Sequence, residues 1–265
     1  MPLTQIIILS LIQGITEFLP ISSSGHLVLV PIILGWQDQG LALDIAVHIG
    51  TLGAILTYFW RDLFRMLRGL YRLSRGRNDA GIRLVGHLIV ATAPLILIGY
   101  FFGSYLNTFF RSLEAIGWAS LGFGFLLFFS DKMSMTVKKV GHLSYSEAFM
   151  IGLAQVLAFI PGTSRSGITI TAARFLGFER KEAARFSMLL SIPAIASSGI
   201  WLIFSMQGPV ETVIADSFIL AMVVSFFSAL LTISILMKWL QRSTFTPFVV
   251  YRVILGCTLI FIANY

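Results

Sequence analysis

Two polar stretches rich in serine and glycine, QGITEFLPISSSGH from Gln13 to His26 and QVLAFIPGTSRSG from Gln155 to Gly167, lie 142 residues apart in a chain otherwise apolar enough for a bilayer. At that offset Leu11 matches Leu153, Gln13 matches Gln155, Ser22 matches Ser164, Ser24 matches Ser166 and Gly25 matches Gly167. Further on, Leu34-Gly35 matches Leu176-Gly177. The chain reads as a duplication within one membrane domain, with repeats over about residues 1–130 and 145–265. Pro20 and Pro161 each remove a backbone donor, and the neighbouring Ser, Thr and Gly residues favour turns and caps, so neither stretch can be one continuous helix.

The class follows from composition: 57% hydrophobic residues against 12% charged is outside the range of soluble domains and describes a polytopic membrane protein. Apolar runs long enough to cross occupy roughly 42–60, 84–103, 112–130, 186–206, 217–237 and 248–264. The connection after the first run holds Arg61, Arg65, Arg68, Arg72, Arg75, Arg77 and Arg83, which the positive-inside rule places in the cytoplasm. If each polar stretch enters and leaves on one side, all but four of the 19 Lys and Arg residues fall on that cytoplasmic side. The four are Arg111, on the opposite side, and Arg165, Arg174 and Arg252, within hydrophobic segments. The net charge of +7 therefore reports topology and anionic lipid headgroups, and the basic residues form no nucleic-acid face.

The predicted fold is an all-α membrane protein with six transmembrane helices and two re-entrant helical hairpins. One hairpin plus three crossings is an odd count of crossings, so the second repeat is inverted relative to the first. Irregular backbone at membrane depth is tolerated where it lines a cavity or is buried in protein. The two tips are thus expected to meet near the midplane, with half-helix N-termini presenting free N–H groups to an anion. Ionisable groups at that depth are functional candidates by default.

Among these, Glu17 is the carboxylate well inside an apolar segment. Arg165 brings a guanidinium that suits either a phosphate or Glu17. His26 lies one turn past the serines. Ser22, Ser24, Ser164 and Ser166 read as helix caps or an anion cradle, and Ser23 as the better nucleophile. Gln13, Thr163 and Thr169 complete the expected substrate-binding set. Asp44 and His48 share a helical face, but two ligands without a third are a weak metal signal, so helix-end hydrogen bonding is the first reading and cavity lining the alternative. Arg174 and Arg252 are expected to snorkel towards headgroups, and Cys257 to be a buried, inert thiol. MPLTQIIILS has no basic residue and predicts no removable targeting segment.

EFLPISSSGH at Glu17–His26 and PGTSRSGIT at Pro161–Thr169 resemble the two signature motifs of the undecaprenyl-diphosphate phosphatases, the bacitracin-resistance type of integral membrane phosphatase. The resemblance covers nearly the whole chain. It implies hydrolysis of the terminal phosphate of undecaprenyl diphosphate in the bacterial plasma membrane, recycling the lipid carrier for peptidoglycan. It also implies a site opening to the outer face and a divalent cation, Mg²⁺ or Ca²⁺. Carried over by position, Glu17, Ser23, His26, Ser164, Arg165, Ser166 and Thr169 match the motif residues linked to activity. Many members carry a second glutamate where this chain has Gln13, which leaves Glu17 as the carboxylate for a metal.

Three nucleophiles stay open at this stage: Ser23, a water, or His26 itself. In the first two cases His26 handles the proton, and Glu17 orients His26 or holds the cation. The competing class is transport of a polyprenyl phosphate, because inverted repeats with broken helices are also how secondary transporters are built. The expected partners are a polyprenyl diphosphate lipid and membrane lipids, with no nucleic acid; a homodimer is compatible with the sequence.

Overall fold

The computed structural model describes residues 1–37, 39–109, 112–133, 137–205 and 216–264, without the side chains of 103–109, 202–205 and 216. Arg111 lies outside the described residues. The described residues form helices α1 (Leu3–Thr16), α2 (Ser23–Leu34), α3 (Gly40–Tyr58), α4 (Trp60–Leu73), α5 (Ala80–Phe109) and α6 (Leu113–Met133). They continue through α7 (Tyr145–Val156), α8 (Arg165–Phe175), α9 (Arg180–Ser205), α10 (Asp216–Trp239) and α11 (Thr246–Asn264).

Six stretches are long and apolar enough to cross a membrane: Gly40–Tyr58, Ala80–Phe102, Leu113–Met133, Arg180–Trp201, Ser217–Trp239 and Thr246–Asn264. They match the expected runs to within about six residues at each end. The protein is a multi-pass helical membrane protein. One departure concerns the arginine-rich connection, part of which is not a loop but helix α4. Its apolar residues recur at helical spacing, leaving Trp60, Phe64, Leu67 and Tyr71 exposed on one side.

The two polar stretches become two pairs of short helices. Residues 17–22 break α1 from α2, and Leu157–Phe159 forms a 3-10 turn before the break that separates α7 from α8. The first helix of each pair packs on a long helix of the other half: α1 lies on α10, and α7 lies on α5. Residues without side-chain bulk set these contacts. A Cβ on Gly14 would meet the Ser225 carbonyl oxygen of α10 at 2.7 Å, and one on Gly152 would collide with the backbone of Ala91 in α5. Helices α6 and α11 approach through Gly117 and Gly256, since a Cβ on Gly256 would lie 2.8 Å from the Gly117 carbonyl oxygen.

That close approach corrects the expectation for Arg252. Instead of snorkelling it is fully buried about two turns into α11, its stem against Gly124 of α6. Arg174 is fully buried too, paired with Asp131 at 3.2 Å and donating to the Phe178 carbonyl at 2.6 Å. Asp131 also accepts from Arg180 Nε at 2.6 Å and the Phe245 amide at 3.2 Å. The cluster therefore ties the end of α6 to the α8–α9 turn and the start of α11. Cys257, expected to be buried, is exposed on the helix surface.

Candidate active site

The site forms where the two helix breaks meet. Glu17 stands at the C-terminal end of α1, where its N–H still bonds the Gln13 carbonyl at 2.9 Å. A carboxylate at that negative end of a helix is disfavoured by the dipole, whereas Arg165, the first residue of α8, brings both its own charge and a positive helix end. Arg165 donates to Glu17 Oε1 at 2.7 Å across 148 residues of sequence. On the other oxygen, Oε2, Glu17 accepts from Ser23 Oγ at 2.7 Å and from Gln13 Nε2 at 2.9 Å. One carboxylate thus holds a guanidinium, a serine hydroxyl and an amide.

The serines at the two breaks have one local design. Ser22 and Ser164 cap α2 and α8, accepting from Gly25 N at 3.4 Å and Gly167 N at 3.2 Å. Each also contacts the serine two residues on, Ser24 at 3.4 Å and Ser166 at 3.2 Å. The breaks touch directly as well: Ser166 Oγ donates to the Leu19 carbonyl at 2.8 Å.

Behind both breaks lies Arg252. It donates to the carbonyls of Gly162 at 2.9 Å, Thr163 at 2.8 Å and Pro20 at 3.4 Å, and to Ser120 O at 3.1 Å. No carboxylate pairs with it among the described residues, so a whole cation is neutralised by peptide dipoles alone. Burying it stabilises the site only because each N–H finds a carbonyl.

In front is a cavity of about 260 Å³ lined by Glu17, Ser22, Ser23, Ser24, His48, Ser164 and Arg165, with Leu95, Phe159, Ala194 and Ile195 as apolar walls. A second cavity of about 450 Å³ shares Ser23, Ser24 and His48 and reaches Gln13 and Asp44. Pro94 in α5 and Pro193 in α9, each missing a helix hydrogen bond, precede the wall residues Leu95 and Ala194. Among the buried atoms with no hydrogen-bond partner are Nη1 of Arg165 and Oε1 of Gln13.

Of the predicted site residues, then, Gln13, Glu17, Ser22, Ser23, Ser24, Ser164 and Arg165 come together. His26, Thr163, Ser166 and Thr169 stand behind the cavity wall. Thr169 bonds Ser187 Oγ at 2.7 Å and the Arg165 carbonyl at 2.9 Å, steadying the first turn of α8. His26 is not oriented by Glu17. Its Nδ1 engages the Ser22 carbonyl at 2.7 Å and its Nε2 the Tyr251 hydroxyl, whose ring stacks on the imidazole at 5.6 Å between centroids.

Sequence reasoning missed Tyr251 and undervalued Arg252 and His48. His48 bonds the Asp44 carbonyl through Nδ1 at 2.6 Å and turns Nε2 to within 4.0 Å of Glu17, so cavity lining is the observed role. An arginine within an apolar run was the available signal for the Tyr251-Arg252 pair.

No cluster of three or more His, Cys, Asp or Glu residues able to hold a metal occurs among the described residues. Glu17 and the unpartnered Oε1 of Gln13 fit a hard cation that draws its other ligands from water and a substrate's phosphates.

A multi-pass membrane protein with a polar, cation-bearing site sunk between two broken helices is the class that this fold and site define. The chain belongs to the bacitracin resistance protein BacA family, whose model matches residues 6–258. It is 46% identical over 273 residues to undecaprenyl-diphosphatase 1 of Rhodospirillum rubrum, covering 99% of this chain and 96% of that one. It is also 48% identical over 267 residues to an undecaprenyl-diphosphatase of Ruegeria pomeroyi, with 99% of both chains covered. To that of Teredinibacter turnerae it is 46% identical over 264 residues, covering 99% of this chain and all of the other.

Proposed function

We propose that this protein is an integral membrane phosphatase that hydrolyses undecaprenyl diphosphate to undecaprenyl phosphate and inorganic phosphate. It would thereby return the lipid carrier to peptidoglycan synthesis and confer bacitracin resistance. The observation that carries the reading is the Glu17 carboxylate, bound at 2.7 Å by both Ser23 Oγ and Arg165 at the meeting point of two helix breaks. Cleaving a phosphoanhydride requires clamped oxygens, stabilised charge and an activated nucleophile. Arg165 Nη1 and the N-terminal turns of α2 and α8 supply the first two.

The geometry favours Ser23 over His26 as nucleophile, with Glu17 as base. Ser23 Oγ attacks the terminal phosphorus, its proton passes to Glu17, and the bond to the bridging oxygen breaks, releasing undecaprenyl phosphate. Glu17 gives that proton up with the departing undecaprenyl phosphate; water then attacks the phosphoserine, and Glu17 takes a proton from the water and passes it to the leaving Ser23 Oγ, freeing inorganic phosphate and restoring the hydroxyl. Both nitrogens of His26 are engaged elsewhere, so it holds the Ser22 cap in place. A divalent cation held by Glu17 and Gln13 Oε1 would neutralise phosphate charge.

The two halves are inverted repeats whose broken helices are re-entrant hairpins, a reading supported by the crossed packing of α1 on α10 and α7 on α5. The protein sits in the bacterial plasma membrane with the segment 61–83 in the cytoplasm and the site open to the outer face. The site's depth lets the prenyl chain stay among lipid tails while the headgroup enters sideways.

Phosphate release from undecaprenyl diphosphate by purified protein in detergent, with and without EDTA, tests this reading. Release that EDTA abolishes supports a metal-assisted phosphatase. No release from well-folded protein would point instead to a polyprenyl-phosphate transporter, which needs two compartments.

A further inference from the structure

A third cavity, of about 470 Å³, lies at the arginine-rich end of the molecule, between α4, the start of α5 and the start of α9. Five arginines (Arg65, Arg68, Arg72, Arg83 and Arg185) line it against two aspartates, Asp62 and Asp79. The aspartates are already committed. Asp62 pairs with Arg185 and with Arg65 at 3.7 Å, and Asp79 pairs with Arg72 at 3.2 Å while capping α5 through Gly81 N at 2.9 Å and Ile82 N at 3.1 Å. Those amides, that of Ile82 foremost, hold the Asp79 carboxyl below the usual carboxylate range. Arg68 and Arg83 make no ion pair with described residues. The frame is rigid: a Cβ on Gly69 would lie 2.5 Å from Ile82 N, and one on Gly81 would strike the Arg65 carbonyl oxygen.

Directly beside it runs an apolar groove of about 520 Å³, walled by Met66, Val85, Leu88, Ile89, Ile96 and Pro193. Successive residues of α4 and α5 alternate between the two, Arg65 then Met66 and Leu84 then Val85, so charged cavity and groove share a wall. Helix α4 itself exposes Trp60, Phe64 and Tyr71, with Arg61, Arg68 and Arg75 guanidinia 5.4, 5.6 and 4.6 Å from those rings. Aromatic rings alternating with arginines in this way suit a helix lying in the headgroup layer.

We propose that this end of the protein is a binding site for an anionic phospholipid, its phosphodiester between Arg68 and Arg83 and one acyl chain in the groove. Charge complementarity supplies the headgroup assignment, and continuity with the groove selects a lipid over a free anion. The site is independent of the phosphatase chemistry: α5 carries His87 at this cavity and Leu95 at the catalytic one, two turns further on.

Thermal unfolding of the full-length protein in detergent, followed by tryptophan fluorescence during titration with palmitoyl-oleoyl phosphatidylglycerol, tests the proposal. A saturable stabilisation that the matching phosphatidylcholine does not give is expected. Arg68→Gln/Arg83→Gln should weaken the apparent affinity about tenfold or more, whereas Arg75→Gln/Arg77→Gln, which removes equal charge outside the cavity, should leave it unchanged. Ile89→Trp, which fills the groove, should weaken it without removing charge. Lipid-free melting and phosphate release confirm that each variant is folded. Equal stabilisation by both lipids, equal loss in both double variants, or the same gain from inorganic phosphate alone would overturn the proposal.

Discussion

Ser22 and Ser164, equivalent residues 142 positions apart, are the two non-glycine residues with positive φ among those described, at 72° and 69°. Each caps the helix that follows it. Holding serine in the left-handed region costs on the order of 1–3 kcal/mol and persists where the surroundings over-determine it. Here the strain aims two helix N-termini at one cavity.

The cap and the strain can be separated at Ser164. Ser164→Gly relieves the strained conformation and loses only the cap, so its net effect should stay within about 1 kcal/mol. Ser164→Ala keeps the strain and loses the cap, and should destabilise by roughly 1–2 kcal/mol. Thermal unfolding in detergent ranks the two, and alanine melting above glycine would contradict the strain at this position.

Glu17 and Arg165 should behave as a coupled pair. Removing one partner of a buried ion pair leaves an uncompensated charge and costs about 3–5 kcal/mol. Glu17→Gln and Arg165→Gln should therefore each destabilise more than half as much as the double variant does, a sub-additivity that a double-mutant cycle measures. Both singles should lose at least about a hundredfold in kcat, since each removes charge from the reacting centre.

Arg252 positions the breaks without touching the cavity. Arg252→Met should strand the carbonyls of Gly162 and Thr163 and destabilise by about 3 kcal/mol or more. Arg252→Lys keeps the charge but cannot reach carbonyls on both sides, so it should recover part of the stability and little of kcat, with KM nearly unchanged. A lysine variant of full activity would remove the positioning role.

Two glycines offer opposite outcomes. Gly162 has φ of 93°, and a Cβ there would collide with the Ile116 carbonyl oxygen, so Gly162→Ala should destabilise by about 2 kcal/mol or more. Gly199, inside α9 with nothing within 4 Å of a Cβ, should gain up to about 1 kcal/mol as alanine. Parallel melting curves decide both.

The spans and both breaks were legible because each rests on a local signal, apolar run length for α3, α5, α6, α9, α10 and α11, proline with serine for the breaks. Glu17, Ser23 and Arg165 were legible because charge and hydroxyl at membrane depth need a partner. What the sequence concealed depends on packing between distant helices. Arg252 and Arg174 are buried by contacts with α6 and Asp131, which no local pattern encodes. The imidazole of His26 turns to Tyr251, 225 residues away, where proximity in sequence pointed to Glu17. His48 entered the site because α3 packs beside α1, bringing it to Glu17. Helix α4 was readable in principle from Trp60, Phe64, Leu67 and Tyr71, but its arginines masked the period.

The central claim is that Ser23, deprotonated by Glu17, takes the phosphate. Single turnovers with undecaprenyl diphosphate radiolabelled on its terminal phosphate, quenched in SDS at neutral pH, where phosphoserine and phosphohistidine both survive, and followed by peptide mapping, test it directly. Label on Ser23 in the wild type, absent in Ser23→Ala together with phosphate release, is the predicted result. Label on His26, or a Ser23→Ala variant that releases phosphate at the wild-type rate, would contradict it.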